Sequence, residues 1–444
     1  MDVRATAILW LAGIVVWGVG SERLAQPADW TLREELRMGG NAGSADDIPL
    51  ATRVLVGRDG EVYVLSPLGG VTVFDRSGRV IRRVRIPDSL VVASLREEAV
   101  SALGRARDGL SPAEEAAAVR PQIWSAMGWL GDTLWIIDRS TPRVVLSGPR
   151  GDSVGAIPIS RDVEGGRAAA VVAVLADRSL LRRLVPENPT PGAPLPPPSA
   201  PPDRYRMPII PGPSTPDDGQ PLQGFLVRTA PDGRILQGLE VFVEPRPPIV
   251  VRGPYGSARI PYPFQDRPLI GGTADGREVV FVERYAATRP GPARYSIARF
   301  DVETGKRSAR FHEYTPAPVT ERTIDSLLTR FVDFARSGEP RRFAQLLPTV
   351  EAAKASLRAA LDLPAFHTPV TGMVVGEDRT VWLREWATGR WVAHTPDGRT
   401  PGRVALPAAT GLVHADGDVI WAVRNIPGQG PGAQVLVRYR IVRP

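Results

Sequence analysis

The sequence predicts an all-β fold: a six-bladed β-propeller closed by pairing of an N-terminal strand with the C-terminal strand, and carrying a small helical insertion. Three observations point there. An acidic or glycine turn followed by an apolar strand recurs along the chain, and another apolar strand precedes each turn. The last segment, Gln434 to Val442, alternates apolar and polar residues like a half-buried strand and has no following strand to pair with. The segment Trp30-Thr-Leu-Arg-Glu-Glu-Leu-Arg37 is strand-like, precedes the first repeat and supplies the missing neighbour. Pairing the two ends leaves a ring with only short, protected edges.

The turns and the strands that follow them are Asp59-Gly60 to Leu65, Gly131-Asp132 to Ile137, Ala176-Asp177 to Leu181, Asp275-Gly276 to Val282, Asp378-Arg379 to Leu383 and Asp416-Gly417 to Val423. Asp-Gly suits a short hairpin because the backbone there reaches positive φ, and β-branched and aromatic residues suit the strand after it. A large residue recurs in that strand: Tyr63, Trp135, Leu181, Phe281, Trp382 and Trp421. It is read as core packing between neighbouring sheets. The preceding strands, 52–56, 125–130, 168–175, 269–273, 370–375 and 410–414, are rich in small residues, as innermost strands crowded around an axis require. The sixth repeat has a third strand, 434–442, but no fourth, which assigns that place to the Trp30 segment.

Composition excludes several classes. The 444 residues contain no cysteine, so disulfides, thiolate chemistry and Cys-ligated metals are out. The net charge of +7 comes almost wholly from arginine, with Lys306 and Lys354 the only lysines. No dense basic run interleaves with aromatics, so no nucleic-acid partner is expected. Residues 1–20 read as an export signal or short anchor, with Arg4 on the flank and an apolar core over 7–20 that is shorter than the roughly 20 residues a spanning helix needs. Small residues at Gly18 and Gly20 allow cleavage before Ser21. The expected location is periplasmic or secreted, with an inner-membrane anchor through residues 7–20 as the alternative and the only membrane contact.

The propeller is assigned to residues 29–444, with insertions at about 89–120, 186–221, 245–268 and 316–365. Ser111-Pro112-Ala113-Glu114 carries the signature of a helix start in the first. The second is so rich in Pro and Gly that an extended or disordered loop is expected. The third is similar but holds Tyr255, Tyr262 and Phe264, placed to lie against the ring. In the fourth, Ile324, Leu327, Leu328, Phe331 and Val332 fall on one helical face behind an N-cap at Thr320, and 349–361 offers a second helix with Leu357 and Leu361 as its apolar contacts.

The aligned hairpins, the terminal Val437-Arg-Tyr-Arg-Ile441 strand and the N-terminal closing strand resemble the bacterial exported six-bladed propellers of the TolB-like and NHL-repeat type. The resemblance spans nearly everything after residue 20 and rests on structural motifs, so it implies a shape more firmly than a chemistry. Such propellers range from protein-binding scaffolds to metal-dependent lactonases. The weak third repeat and the four insertions depart from the pattern.

No catalytic constellation emerges. His312, His367, His394 and His414 fall on different elements and are not expected to converge. The inner strands lack carboxylates, and asparagine occurs only at 41, 188 and 425, which disfavours a lactonase-type calcium site in the channel. No catalytic residue, metal ligand or cofactor is assigned. The candidate binding residues lie where second strands end: Asp138, Arg139, Glu283, Arg284, Tyr285, Arg384, Glu385, Trp386 and Arg424, with His367 beside them. Aromatics and arginines at a channel mouth suit a protein or small-ligand partner, although paired rim charges would look the same. The sequence therefore favours a non-catalytic binding or scaffold propeller, with a lactonase-like envelope hydrolase as the alternative.

Overall fold

The hairpin turns set the architecture. In the computed structural model, which describes residues 27–39, 48–49, 51–57, 59–66, 70–84, 124–138, 143–148, 151–160, 162–163, 166–185, 223–243, 249–253, 256–260, 267–337, 349–360, 363–426 and 433–444, every repeat turn holds one residue at positive φ. These are Gly60 (74°), Gly131 (61°), Arg178 (66°), Gly276 (68°), Arg379 (64°) and Gly417 (53°). The third and fifth repeats thus force an arginine into a conformation that costs a residue with a Cβ roughly 1–2 kcal/mol. Arg178→Gly is expected to raise stability by up to about 1 kcal/mol, seen as a higher urea midpoint. An unchanged or lower midpoint would contradict it.

Four antiparallel sheets stand separately. They comprise β3 (Arg53–Val56), β4 (Val62–Ser66), β5 (Gly70–Phe74) and β6 (Val80–Val84); β7 (Trp124–Leu130), β8 (Thr133–Asp138), β9 (Arg143–Ser147) and β10 (Ser153–Pro158); β12 (Gly166–Val174), β13 (Leu180–Val185), β14 (Gln223–Thr229) and β15 (Ile235–Val243), with the short β11 (Asp162–Val163) on β12; and β18 (Leu269–Gly272), β19 (Glu278–Glu283), β20 (Ala293–Asp301) and β21 (Arg307–Tyr314). The eight strands of the remaining repeats form one continuous sheet. It contains β22 (Val370–Val375), β23 (Val381–Glu385), β24 (Trp391–His394), β25 (Gly402–Val404), β26 (Thr410–Asp416), β27 (Val419–Asn425), β28 (Ala433–Val442) and β1 (Ala28–Gly39), with β2 (Ile48–Pro49) added on β28.

The N-terminal strand closes the ring, as the sequence requires. β1 runs antiparallel to β28, Thr31 opposite Val442 and Gly39 opposite Val435. It also pairs in parallel with β25, Ala28 with Gly402 and Trp30 with Val404. Six separate sheets are therefore not found. β1 pairs first with β25 through residues 28–30 and then with β28 through residues 31–39, fusing what the repeat pattern divides.

The first strands of the repeats touch in a cycle. β3 meets β7 and β26, β12 meets β7 and β18, and β22 meets β18 and β26. That cycle makes the fold a propeller with a central channel. Each junction between repeats is filled by a hydrophobic cluster, and Tyr63, Trp135, Leu181, Phe281, Trp382 and Trp421 are all buried in these clusters. The third repeat also buries Arg182 completely, where its guanidinium donates to the carbonyls of Ser160 (2.7 Å) and Pro231 (3.4 Å).

The insertions divide. The expected helix start at 111–114 and the 186–221 loop lie outside the described residues, as do Tyr255, Tyr262 and Phe264. The 245–268 segment, read from sequence as an irregular loop, contains a hairpin of β16 (Ile249–Gly253) and β17 (Gly256–Ile260). Its run of three consecutive β-branched residues, Ile249, Val250 and Val251, explains the pairing, which the flanking prolines obscure. The fourth insertion forms α1 (Glu321–Ser337) and α2 (Val350–Ala360). Thr320 Oγ1 accepts from the Thr323 amide at 3.2 Å, and Thr349 Oγ1 from the Ala352 amide at 3.1 Å, so both helices are capped. Ile324, Leu328, Val332, Ala353 and Leu357 are buried, and α2 rests on β16. Among the described residues no helix is long and apolar enough to cross a membrane; residues 1–26 lie outside them.

Candidate functional site

The turn residues that build the hairpins also build a cavity. Because each first strand runs outward to its turn before the second runs back, the turns of different repeats gather at one end of the channel. There they enclose about 630 Å³, lined by Asp59, Glu61, Asp132, Asp275, Glu377 and Asp416 with Tyr63 and Trp129. Among the described residues the third repeat does not contribute. The Trp129 amide donates to the Ala274 carbonyl at 2.7 Å, which joins the second and fourth repeats across it. A Cβ on Gly128 would fall 2.8 Å from that carbonyl and 2.5 Å from the Trp135 ring, so the close approach requires glycine.

The carboxylates differ in their partners. Glu61 is held by Arg82, whose Nη2 donates to Oε2 at 2.7 Å, and accepts from the Tyr63 hydroxyl at 2.8 Å. Asp275 Oδ1 accepts from Thr273 Oγ1 at 2.6 Å. Glu377 stands among like charges: burial first, then Asp416, Asp275 and Asp378, push its carboxyl up to about 7. Burial and Asp378 raise Asp416 as well. Behind Glu377 lies His414, 4% exposed, with Nε2 3.8 Å from Glu377 Oε1 and without a hydrogen bond. Burial, then the Arg53 charge, lowers that imidazole to about 3, so it is neutral. Tyr63 and Trp129 meet edge to face, centroids 5.0 Å apart.

This mouth is the opposite one from that marked by the sequence. Of the residues proposed there, Glu385, Trp386 and His367 do come together, lining a cleft of about 270 Å³ between the fourth and fifth repeats. His367 stacks on Trp386 with centroids 3.3 Å apart, and burial lowers it to about 4. The others do not join them in one site. Asp138 is buried against Arg143 at 3.2 Å. Arg284 ties two repeats together, donating to the carbonyls of Arg267 (2.6 Å) and Val370 (2.7 Å). Glu283 accepts from Ser296 at 3.4 Å, and the Tyr285 carbonyl accepts from Tyr314 at 3.4 Å. Arg384 is exposed and Arg424 half-buried at the ends of their strands, and Arg139 lies outside the described residues. The acidic turns were visible in the sequence, where they served only as turn formers.

The histidines also depart from expectation. His312 and His394 meet with ring centroids 4.5 Å apart, and Tyr295 Oη lies 3.4 Å from His394 Nε2, because the outer strand of the fourth repeat packs against the third strand of the fifth. Burial lowers His394 to about 3 and His312 to about 4. Among the described residues no three His, Asp or Glu side chains converge as a metal site requires.

These shifts set the acid response. A histidine whose folded pKa is depressed favours the native state fully above about pH 6.5 and loses that contribution as the pH falls toward the folded value. His394 and His414 are each expected to lose about 2 kcal/mol between pH 7 and pH 5. Glu377 works in the opposite sense, since its raised pKa destabilises the native state above about pH 7 and relaxes toward pH 4.5; its 35% exposure keeps that term small. Urea midpoints should therefore fall from pH 7 to pH 5, and His394→Gln should flatten the fall. A midpoint that rises on acidification would contradict the assignment.

No described protein family matches the sequence, and no curated protein matches it. Solved structures are similar in outline. A protein of the DUF4221 family from Bacteroides vulgatus shares 9% identity, with 94% of this chain and 99% of that one covered and a TM-score of 0.41. A catalytically inactive virginiamycin B lyase from Staphylococcus aureus, with quinupristin, shares 10% over 93% and 100%, at 0.37. The calcium-binding protein regucalcin from Agrobacterium tumefaciens shares 11% over 94% and 95%, at 0.36.

Proposed function

We propose that this chain is an exported, non-catalytic binding propeller of the bacterial cell envelope, of the TolB-like or NHL-type architecture, which takes its protein or small-molecule ligand at the acidic mouth. The long sheet is read as two blades bridged by β1, giving six in all, a count supported by the cycle of six first strands. The observation that carries the functional reading is the cavity itself: about 630 Å³, within the usual range for small-ligand sites of about 300–1,000 Å³, walled by carboxylates from five repeats and two aromatic rings. Such a wall repels phosphate, which supports a ligand other than nucleic acid.

One observation favours the hydrolase alternative. A carboxyl titrating near 7 beside a neutral histidine could act as general acid or base. A thermal-shift panel of cationic, neutral and anionic compounds, run alongside ester and lactone hydrolysis assays, separates the two. The binding reading expects a raised Tm that Glu377→Gln diminishes, and no turnover. Turnover abolished by Glu377→Gln would move the chain to the hydrolases. For export, N-terminal sequencing of the mature protein is expected to begin at Ser21; retention of residues 1–20 would favour the anchor.

A further inference from the structure

We infer that the cleft between the fourth and fifth repeats is a carbohydrate site that holds a pyranose ring against Trp386; it shares no lining residue with the acidic mouth and does not rest on that reading. The first observation is the indole itself. Trp30, Trp135, Trp382, Trp391 and Trp421 are buried, whereas Trp386, on the turn that leaves β23, is 37% exposed. It is nonetheless held in place. Its amide donates to the Pro369 carbonyl at 2.9 Å, and its ring stacks on His367, whose amide donates to the Ala317 carbonyl at 2.9 Å. Pro318 and Phe366 pair beside them as an isolated bridge, so the two ends of the helical insertion are clamped together where they wall the cleft. A fixed aromatic surface left in solvent offers a ligand contact area at little entropic cost.

The second observation is what surrounds the indole. The cleft encloses about 270 Å³, and Glu313, Glu385, Thr388 and Arg403 line it together with Trp386 and Tyr314. Its charges balance. Arg294 pairs with Glu313 at 2.8 Å, Asp29 is shared by Arg390 and Arg403, and Glu385 offsets the positive charge that remains. With neither sign in excess, a ligand of net charge finds no complement there. Glu385 Oε2 accepts from Thr388 Oγ1 at 2.7 Å, which leaves its carboxylate further lone pairs to offer. A carboxylate only accepts and a guanidinium only donates, so a ligand that engages both must itself do both.

Sugar hydroxyls meet that requirement without adding charge. A pyranose with equatorial hydroxyls carries its axial C–H bonds on an apolar face, and those polarised C–H groups match the negative face of an indole. The hydroxyls at its rim then donate to Glu385 or Glu313 and accept from Arg403. A proline ring stacks equally well but brings no donor for the carboxylates. A quaternary ammonium brings neither donor nor acceptor.

Isothermal titration of the full folded chain with cellobiose and with N,N′-diacetylchitobiose, both built from equatorially substituted pyranoses, provides the test. Triproline and tetramethylammonium chloride represent the other ring-stacking chemistries. At least one disaccharide should bind, and Trp386→Ala should weaken it about tenfold or more with the thermal unfolding profile retained. Trp386→Phe should weaken it less, because an aromatic face remains, and Glu385→Gln should weaken it several-fold. If Trp386→Ala lowers the Tm, Trp386→Phe and Glu385→Gln decide the matter. Binding of neither disaccharide, or binding that all three variants leave unchanged, overturns the assignment. So does Trp386-dependent binding of triproline or tetramethylammonium that is tighter than that of either disaccharide, which would make the cleft a peptide or cation site. None of these results bears on the acidic mouth, whose own test is the thermal-shift panel.

Discussion

Trp30→Ala is expected to destabilise the protein by about 3–5 kcal/mol, the usual range for removing a large buried aromatic, and to do so by loosening the ring closure. Trp30 lies at the point where β1 leaves β25 for β28. It is 9% exposed, sits edge-on to Trp382 at 6.1 Å and belongs to the cluster that joins the fifth and sixth repeats. Gly402 is its complement: a Cβ there would lie 2.0 Å from the indole Cε2, so only glycine lets the ring lie flat on β25. Gly402→Ala should therefore destabilise as well, while the Trp30→Ala, Gly402→Ala double variant should lose less than the sum, because the added methyl enters the space the indole vacates. Urea denaturation of the four proteins reads the coupling. Strict additivity would show that the two residues do not share one packing problem.

Arg299→Ala is expected to cost a further 3–5 kcal/mol by a different route, stranding a buried charge. Arg299 and Glu278 are 12% and 8% exposed, with Arg299 Nη1 2.6 Å from Glu278 Oε1. The same nitrogen donates to the Arg379 carbonyl at 2.8 Å, and Nη2 to the His394 carbonyl at 3.1 Å. One side chain thus binds a carboxylate of its own sheet and two backbone carbonyls of the next. Arg299→Lys should recover little, because an ammonium lacks the planar fork that reaches three acceptors. Arg299→Met combined with Glu278→Leu should be far milder than Arg299→Ala, since it removes both charges. If Arg299→Lys matches the parent in Tm, the fork has no special role.

Much of the fold was legible because it rests on short-range chemistry. The six turns, the strands on either side, the capped helices and the closing role of the Trp30 segment all follow from residue type and spacing. What could not be read were facts of juxtaposition. That β1 would pair with β25 as well as β28 depends on where Gly402 leaves room for Trp30. That His312 meets His394 depends on how two sheets pack. The candidate site was displaced for the same reason. Arg284 and Asp138 have the composition of a binding rim, yet their partners are carbonyls and an arginine of the fold itself. The acids at the turns were noticed one repeat at a time, and only the ring brings Asp59 to the same cavity as Asp416.

The antiparallel register of β1 on β28 fixes how the molecule responds to force. Thr31 lies opposite Val442, so the two ends of the chain leave the pair side by side at one end of the seam. Tension between them peels the ladder one rung after another instead of loading all its hydrogen bonds at once. Pulled from these two points, the seam must first give up the Ala28–Trp30 bridges to β25 and the buried Trp30, and only then opens rung by rung as a zipper.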